Sequence, residues 1–181
     1  GLVNFSENCL DRNLEAGRGG EVALSWEADG GETRAVTYAE LSAEVGRLAN
    51  GLARLGIGAG DRVGVFLPMS PESAAAVLAV TRLGAIVVPC FSGFGAQAVA
   101  SRLADCEAKA LVTADGFRRR GQVVPTKAIA DEALRGAPSV RVVVVVRRLG
   151  GGVEVEGGME EIGRGKSRAG GAGGAEEAVP G

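Results

Sequence analysis

Four short apolar runs, Arg62 to Leu67, Ala85 to Cys90, Lys109 to Thr113 and Val140 to Val146, are separated by stretches patterned as helices. Ser70-Pro71-Glu72 opens the first of these with an N-cap hydroxyl, a proline at the first helical position and an early acid, and Gly84 closes it. Ala96 to Ala104 and Thr126 to Arg135 predict two more helices, and Val140 to Val146 is almost pure valine. Near-continuous apolar strands of this kind are expected to be buried on both faces. Strand–helix–strand alternation then requires helical crossovers and a parallel sheet. The predicted fold class is α/β, built of parallel-sheet βαβ units.

The N-terminal third predicts a different arrangement. Asn8 is placed to cap a short helix through Leu14 that ends near Gly17. Glu21 to Trp26 alternates as a strand, Asp29-Gly30-Gly31 supplies a turn, and Glu32 to Val36 returns, giving an N-terminal β-hairpin. Thr37-Tyr38-Ala39-Glu40 reads as a capping box. Behind it Tyr38, Leu41, Val45, Leu48, Leu52 and Leu55 recur at helical spacing, and Gly56 closes the helix.

Positions 150–181 hold 12 of the 30 glycines and only five sizeable apolar side chains. The burial of five such groups cannot offset the entropy of ordering that length of backbone, so this Gly-rich tail is expected to be disordered. The foldable unit is about residues 8–149, within a domain portion assigned to residues 1–149. Cys9, Cys90 and Cys106 are far apart and lack a Cys-x-x-Cys pair, and there is no histidine. That combination disfavours a zinc site and removes the commonest general base and any Ser-His or Cys-His nucleophile. Reduced cysteines, no membrane-length apolar run and no signal-peptide pattern predict a soluble, cytoplasmic protein.

Three local patterns are set aside. Gly56-x-Gly58-x-Gly60 follows a helix and precedes a strand, the reverse of a dinucleotide fingerprint. Gly165-Lys166-Ser167 lacks the P-loop's first glycine, since Glu160 stands there. Arg164, Lys166 and Arg168 have no aromatic partners and sit among glutamates, which argues against a nucleic-acid-binding segment.

The run Thr113-Ala114-Asp115-Gly116-Phe117-Arg118-Arg119-Arg120-Gly121-Gln122 places three adjacent guanidiniums and a glycine just after a strand. Guanidinium forks match phosphate oxygens, and glycine lets backbone approach a ligand. On a chain of net charge −2 this is a local basic spot, which indicates a small phosphorylated ligand ahead of nucleic acid. The alternative is a solvated arginine loop. Phe91-Ser92-Gly93-Phe94-Gly95 follows another strand and offers aromatic surface to a base, or else packs over the helix below. Ligands of open α/β sheets bind beyond strand C-terminal ends, so the two segments together predict a nucleotide site.

Read in order, the segments resemble the AMP-forming acyl-CoA synthetases, in particular the acetyl-CoA synthetase branch of the adenylate-forming enzymes. The resemblance rests on Asn8-Cys9-Leu10-Asp11-Arg12, Thr37-Tyr38-Ala39-Glu40-Leu41, Leu48-Ala49-Asn50-Gly51-Leu52 and Gly60-Asp61-Arg62-Val63. It continues through Leu67-Pro68-Met69-x-Pro71-Glu72, Arg82-Leu83-Gly84-Ala85, Phe91-Ser92-Gly93-Phe94, Thr113-Ala114-Asp115-Gly116 and Pro125-x-Lys127-x-Ile129-Ala130-Asp131. It covers about residues 4–149 and corresponds to an incomplete N-terminal part of that family's large domain.

The resemblance implies a two-step ligase. A carboxylate, acetate or another short acyl acid, attacks the α-phosphate of magnesium-bound ATP, and the CoA thiol then displaces AMP from the acyl-adenylate. It implies CoA contacts from Phe91, Ser92 and Gly93 and from Arg119, Arg120, Gly121 and Gln122. Ser92 departs from a usual glycine, and Gln122 from a usual Arg or Lys, a loss for which Arg118 is the candidate compensation. It implies small-molecule partners only, with neither nucleic acid nor membrane, and leaves acyl specificity and oligomeric state unspecified.

The family's Thr/Ser/Gly-rich phosphate loop, its adenine and ribose contacts and its mobile domain with the catalytic lysine correspond to no segment of these 181 residues. No catalytic residue is therefore assigned, and the chain alone is expected not to form an adenylate. Composition beyond residue 149 is that of a GC-rich coding sequence read out of frame, so a frameshift or truncation is expected there. Two further readings stand beside an inactive ligase fragment: a free-standing CoA- or nucleotide-binding module, and a non-functional remnant with an exposed valine strand.

Overall fold

The computed structural model describes residues 3–149. The expectations placed on residues 150–181, disorder and a changed reading frame, lie outside the described residues. A π-helical turn, Glu7–Asp11, leads into α1, Arg12–Glu15. Asn8 does not cap this segment. The Asn4 carboxamide oxygen accepts from the Glu7 N–H at 3.3 Å, while Asn8 Oδ1 accepts from Arg12 Nη1 at 3.0 Å inside the helix. The orphan amides of a first turn take whichever acceptor the backbone brings near, and here helical structure begins before Asn8. Arg82 clamps the segment with bonds of 2.6 and 2.8 Å to the two Asp11 oxygens.

Strands β1, Val22–Glu27, and β2, Thr33–Thr37, form the expected antiparallel hairpin. The capping box then starts α2, Tyr38–Arg54: the Thr37 N–H donates to Glu40 Oε2 at 2.9 Å, and the Glu40 N–H donates to Thr37 Oγ1 at 3.3 Å. The bonds from the Thr37 backbone, then from its hydroxyl, hold the Glu40 carboxyl below its ordinary pKa. Leu41, Val45, Leu48 and Leu52 form the buried face of α2. Each contributes about 1.5–3 kcal/mol by leaving water.

The remaining elements alternate: β3 (Arg62–Phe66), α3 (Pro71–Arg82), β4 (Ile86–Pro89), α4 (Ala96–Asp105) and β5 (Ala110–Ala114). A small hairpin of β6 (Phe117–Arg119) and β7 (Gln122–Val124) precedes α5 (Thr126–Leu134) and β8 (Val142–Val146). Ser70 caps α3 through its hydroxyl, with Pro71 in the first turn. The parallel sheet has the order β4-β3-β5-β8. Helices α2 and α3 pack Val45, Leu52, Ala75 and Ala79 against Val63, Val65 and Val112 on one face. On the other, α4 and α5 pack Val99, Leu103, Ala130 and Ala133 against Phe66 and Leu111. Gly64 permits the close approach, since a Cβ there would stand 2.5 Å from Leu103 Cδ2 and 3.0 Å from Leu111 Cδ1.

Burial on both faces holds for β3 and for all five residues of β5, but not for β4 or β8. Ile86 is 51% exposed, and only Val144 and Val145 of the five valines are buried. These two strands end the sheet among the described residues, and an edge strand has a neighbour on one side only. Valine content reports strand propensity without reporting position in the sheet.

The winding reverses at β3. The chain steps through α3 to β4 on one side, then returns through α4 to β5 on the other. Such a reversal opens a crevice at strand C-terminal ends, where α/β sheets bind ligands.

Candidate functional site

The C-terminal ends of all four parallel strands reach one cleft of about 950 Å³. Pro68 and Met69 follow β3, Phe91 and Ser92 follow β4, Phe117 to Gly121 follow β5, and Arg148 and Leu149 follow β8. The turn of the N-terminal hairpin supplies the facing wall with Trp26, Glu27, Asp29, Gly30 and Glu32. A second cavity of about 1070 Å³, lined mostly by apolar groups such as Leu24, Leu41, Leu67 and Val77, adjoins it and shares Trp26, Met69, Phe91 and Ser92.

Of the seven predicted contact residues, Phe91, Ser92, Arg119, Arg120 and Gly121 line the cleft together. Gly93 and Gln122 do not. Gly93 lies behind the Phe91 ring, where a Cβ would stand 2.5 Å from Phe91 Cε1. Phe91, 60% exposed, meets Phe94 edge to face at 5.7 Å, and the Arg102 guanidinium lies 5.1 Å from the Phe94 ring centre. Phe94 therefore packs inward, while Phe91 presents its ring to the cleft. Gln122 is the cross-strand partner of Arg119 in the small hairpin.

The predicted arginine loop is that hairpin. Arg119 and Gln122 form its last pair, and both turn residues have positive φ, +51° at Arg120 and +75° at Gly121. This is the backbone of a type I′ turn, which is most often built from Asn-Gly. Arginine at its first central position is uncommon and costs about 1–2 kcal/mol. The Asp29 carboxylate receives the Arg120 N–H at 2.7 Å and ties the turn to the opposite wall. Arg118, Arg119 and Arg120 are exposed, and none forms an ion pair among the described residues. Three guanidiniums that form no such ion pair, facing a wall that carries Glu27, Asp29 and Glu32, can receive a phosphate group.

The floor is fixed by groups that the sequence reading missed. Buried Asp115 accepts the N–H groups of Gly116 and Arg148, each at 2.8 Å, and that of Leu149 at 3.1 Å, tying the end of β8 to the base of the hairpin. A Cβ on Gly116 would stand 2.8 Å from the Val124 carbonyl oxygen, so the hairpin sits directly on this backbone. Arg148 bonds to Glu72 and lies 5.3 Å from the Trp26 ring centre, while Arg34 reaches the other Glu72 oxygen at 2.9 Å. Burial pushes the Glu72 carboxyl up, but bonds from its own backbone N–H and from Ser70, with Arg148 and Arg34 beside it, leave it below its ordinary value. No local signal marks this cluster, since Trp26, Glu72 and Arg148 are distant in sequence. Cys90 is an inert neighbour: burial raises its thiol to about 11, so at neutral pH it is protonated and no nucleophile.

Residues 10–166 match the family described as AMP-binding enzyme. The chain is 48% identical over 151 residues to the acetyl-coenzyme A synthetase of Mycolicibacterium smegmatis, covering 83% of this chain and 16% of that protein. It is 51% identical to the acetyl-coenzyme A synthetase of Rubrobacter xylanophilus, covering 83% and 23%, and 52% identical to that of Cupriavidus taiwanensis, covering 84% and 24%. Among solved structures, the acetoacetyl-CoA synthetase from Streptomyces lividans superposes with a TM-score of 0.79 at 32% identity, covering 88% of this chain and 24% of that one. The chain thus spans less than a quarter of the length of each of these proteins.

Proposed function

This chain belongs to the AMP-binding enzyme family, and on that premise we propose that its cleft is the coenzyme A edge of an acetate- or short-acyl-CoA ligase, AMP-forming. The complete reaction joins a carboxylate to ATP's α-phosphate with release of pyrophosphate, then transfers the acyl group to the CoA thiol with release of AMP. In this reading Arg119 and Arg120 meet CoA phosphates, Gly121 lets the backbone approach them, and Phe91 and Ser92 form the opposite lip. Gly93 and Gln122 act one step back, by seating Phe91 and pairing with Arg119. The cleft takes no part in activating the carboxylate, so these 181 residues bind CoA without forming an adenylate. Three unbridged cysteines suit a cytoplasmic setting for such a reaction.

The observation that carries this reading is the convergence of Phe91 and the unpaired arginine turn in one cleft at the ends of β4 and β5. Calorimetric titration of the 181-residue chain with CoA tests it. Saturable binding that weakens as salt is raised is expected, because phosphate–guanidinium contacts are screened. Absence of binding at millimolar CoA overturns the assignment.

A further inference from the structure

Asp29 is a carboxylate in a cleft read above as an anion site. By field alone it lowers affinity for phosphate, since a negative charge beside the ligand repels it. Its single described hydrogen bond has a different purpose. Asp29 Oδ2 accepts the backbone N–H of Arg120 at 2.7 Å, across 91 residues of sequence, at the one arginine of the turn whose φ is +51°. A non-glycine residue in that conformation needs outside support to stay there. The acceptor comes from a separate hairpin, so the β1–β2 turn and the β6–β7 turn are joined at this point.

We propose that Asp29 is a positioning residue for anion capture: it holds the Arg120–Gly121 turn in its left-handed form and so sets Arg119 and Arg120 at the cleft mouth. The inference rests on the CoA reading of the cleft and adds a residue to it. Removal of a repelling charge should tighten binding of a phosphate ligand, whereas removal of a support should weaken it.

CoA is titrated into the wild-type chain, Asp29→Ala and Asp29→Asn at one salt concentration. Asn keeps a carbonyl oxygen that can accept from Arg120 and discards the charge. Asp29→Ala is expected to bind roughly three- to tenfold more weakly than wild type, as for loss of one supporting hydrogen bond. Asp29→Asn is expected to match wild type or bind more tightly. Hydrogen exchange at the Arg120 amide, measured without ligand, should be slow in wild type and Asp29→Asn and fast in Asp29→Ala. Equal or tighter binding by Asp29→Ala overturns the proposal, as does unchanged exchange or an Asn variant as weak as the Ala one. A wild-type chain that does not bind CoA removes the site assignment itself, an outcome separate from these.

Discussion

The Arg148 guanidinium lies 5.3 Å from the Trp26 ring centre while bonding to Glu72. The contact joins the first β-hairpin, the N-terminus of α3 and the end of β8 beneath the cleft. Trp26 is itself anchored, its indole N–H donating to the Met69 carbonyl at 2.8 Å. An aromatic face and a carboxylate together fix an arginine that would otherwise sample many rotamers.

Glu72 makes stability depend on pH. Its folded-state pKa is depressed from the ordinary 4.5, so its contribution is fully present above that value and is lost as pH falls through the folded value. Glu72→Gln should lower the melting temperature at pH 7 and show a smaller further loss between pH 5 and pH 3 than wild type does. Parallel melting curves across that range would refute the assignment.

Arg119, which flanks the turn, and Arg120, within it, should act on affinity and leave folding intact. Arg119→Ala or Arg120→Ala should weaken CoA binding by roughly tenfold each, as for loss of a charge-assisted contact, with melting temperature nearly unchanged. Arg118→Ala, at the third guanidinium lining the cleft, should weaken it as well. Titrations at fixed salt decide each case.

Gly93→Ala should displace Phe91, because a Cβ at that position would stand 2.5 Å from the ring. The expected result is weaker CoA binding with Phe94 still packed against Arg102. Ligand affinity together with aromatic NMR shifts would show whether only the outer ring has moved.

Gly64→Ala should destabilise the fold by about 1–3 kcal/mol, since overpacking forces Leu103 or Leu111 from place. Urea denaturation measures this directly. A neutral result would mean that α4 yields more easily than its packing implies.

The chain supplied with ATP, magnesium and acetate should release no pyrophosphate above background. Release that depends on acetate would overturn the separation of CoA binding from adenylation proposed above.

Features that rest on adjacent residues are legible in the sequence. Thr37 with Glu40, and Ser70 with Pro71, specify helix starts through bonds spanning three residues, and both form as expected. Meeting of the Phe91 segment with the arginine segment was also legible, because each follows a strand of a parallel sheet. Asn8 misled because a cap-type residue near an apolar run need not be the first acceptor that the backbone meets. The Arg120 turn carries no hairpin signal of its own, because Arg-Gly is not the usual pair, and its support by Asp29 is 91 residues away. Whether β4 and β8 were central or peripheral could not be read from their own residues, since strand neighbours are set by topology.

That topology leaves the five valines of β8 in a half-covered row, bracketed by Arg141 at one end and by Arg147 and Arg148 at the other. Arg148 is paired with Glu72, whereas Arg141 is exposed, and a charge beside an edge strand opposes the stacking of one molecule's rim on another's. Among the described residues β8 ends the sheet with Val142, Val143 and Val146 only partly covered, so replacing Arg141 by an apolar residue should make one molecule's rim more prone to meet another's.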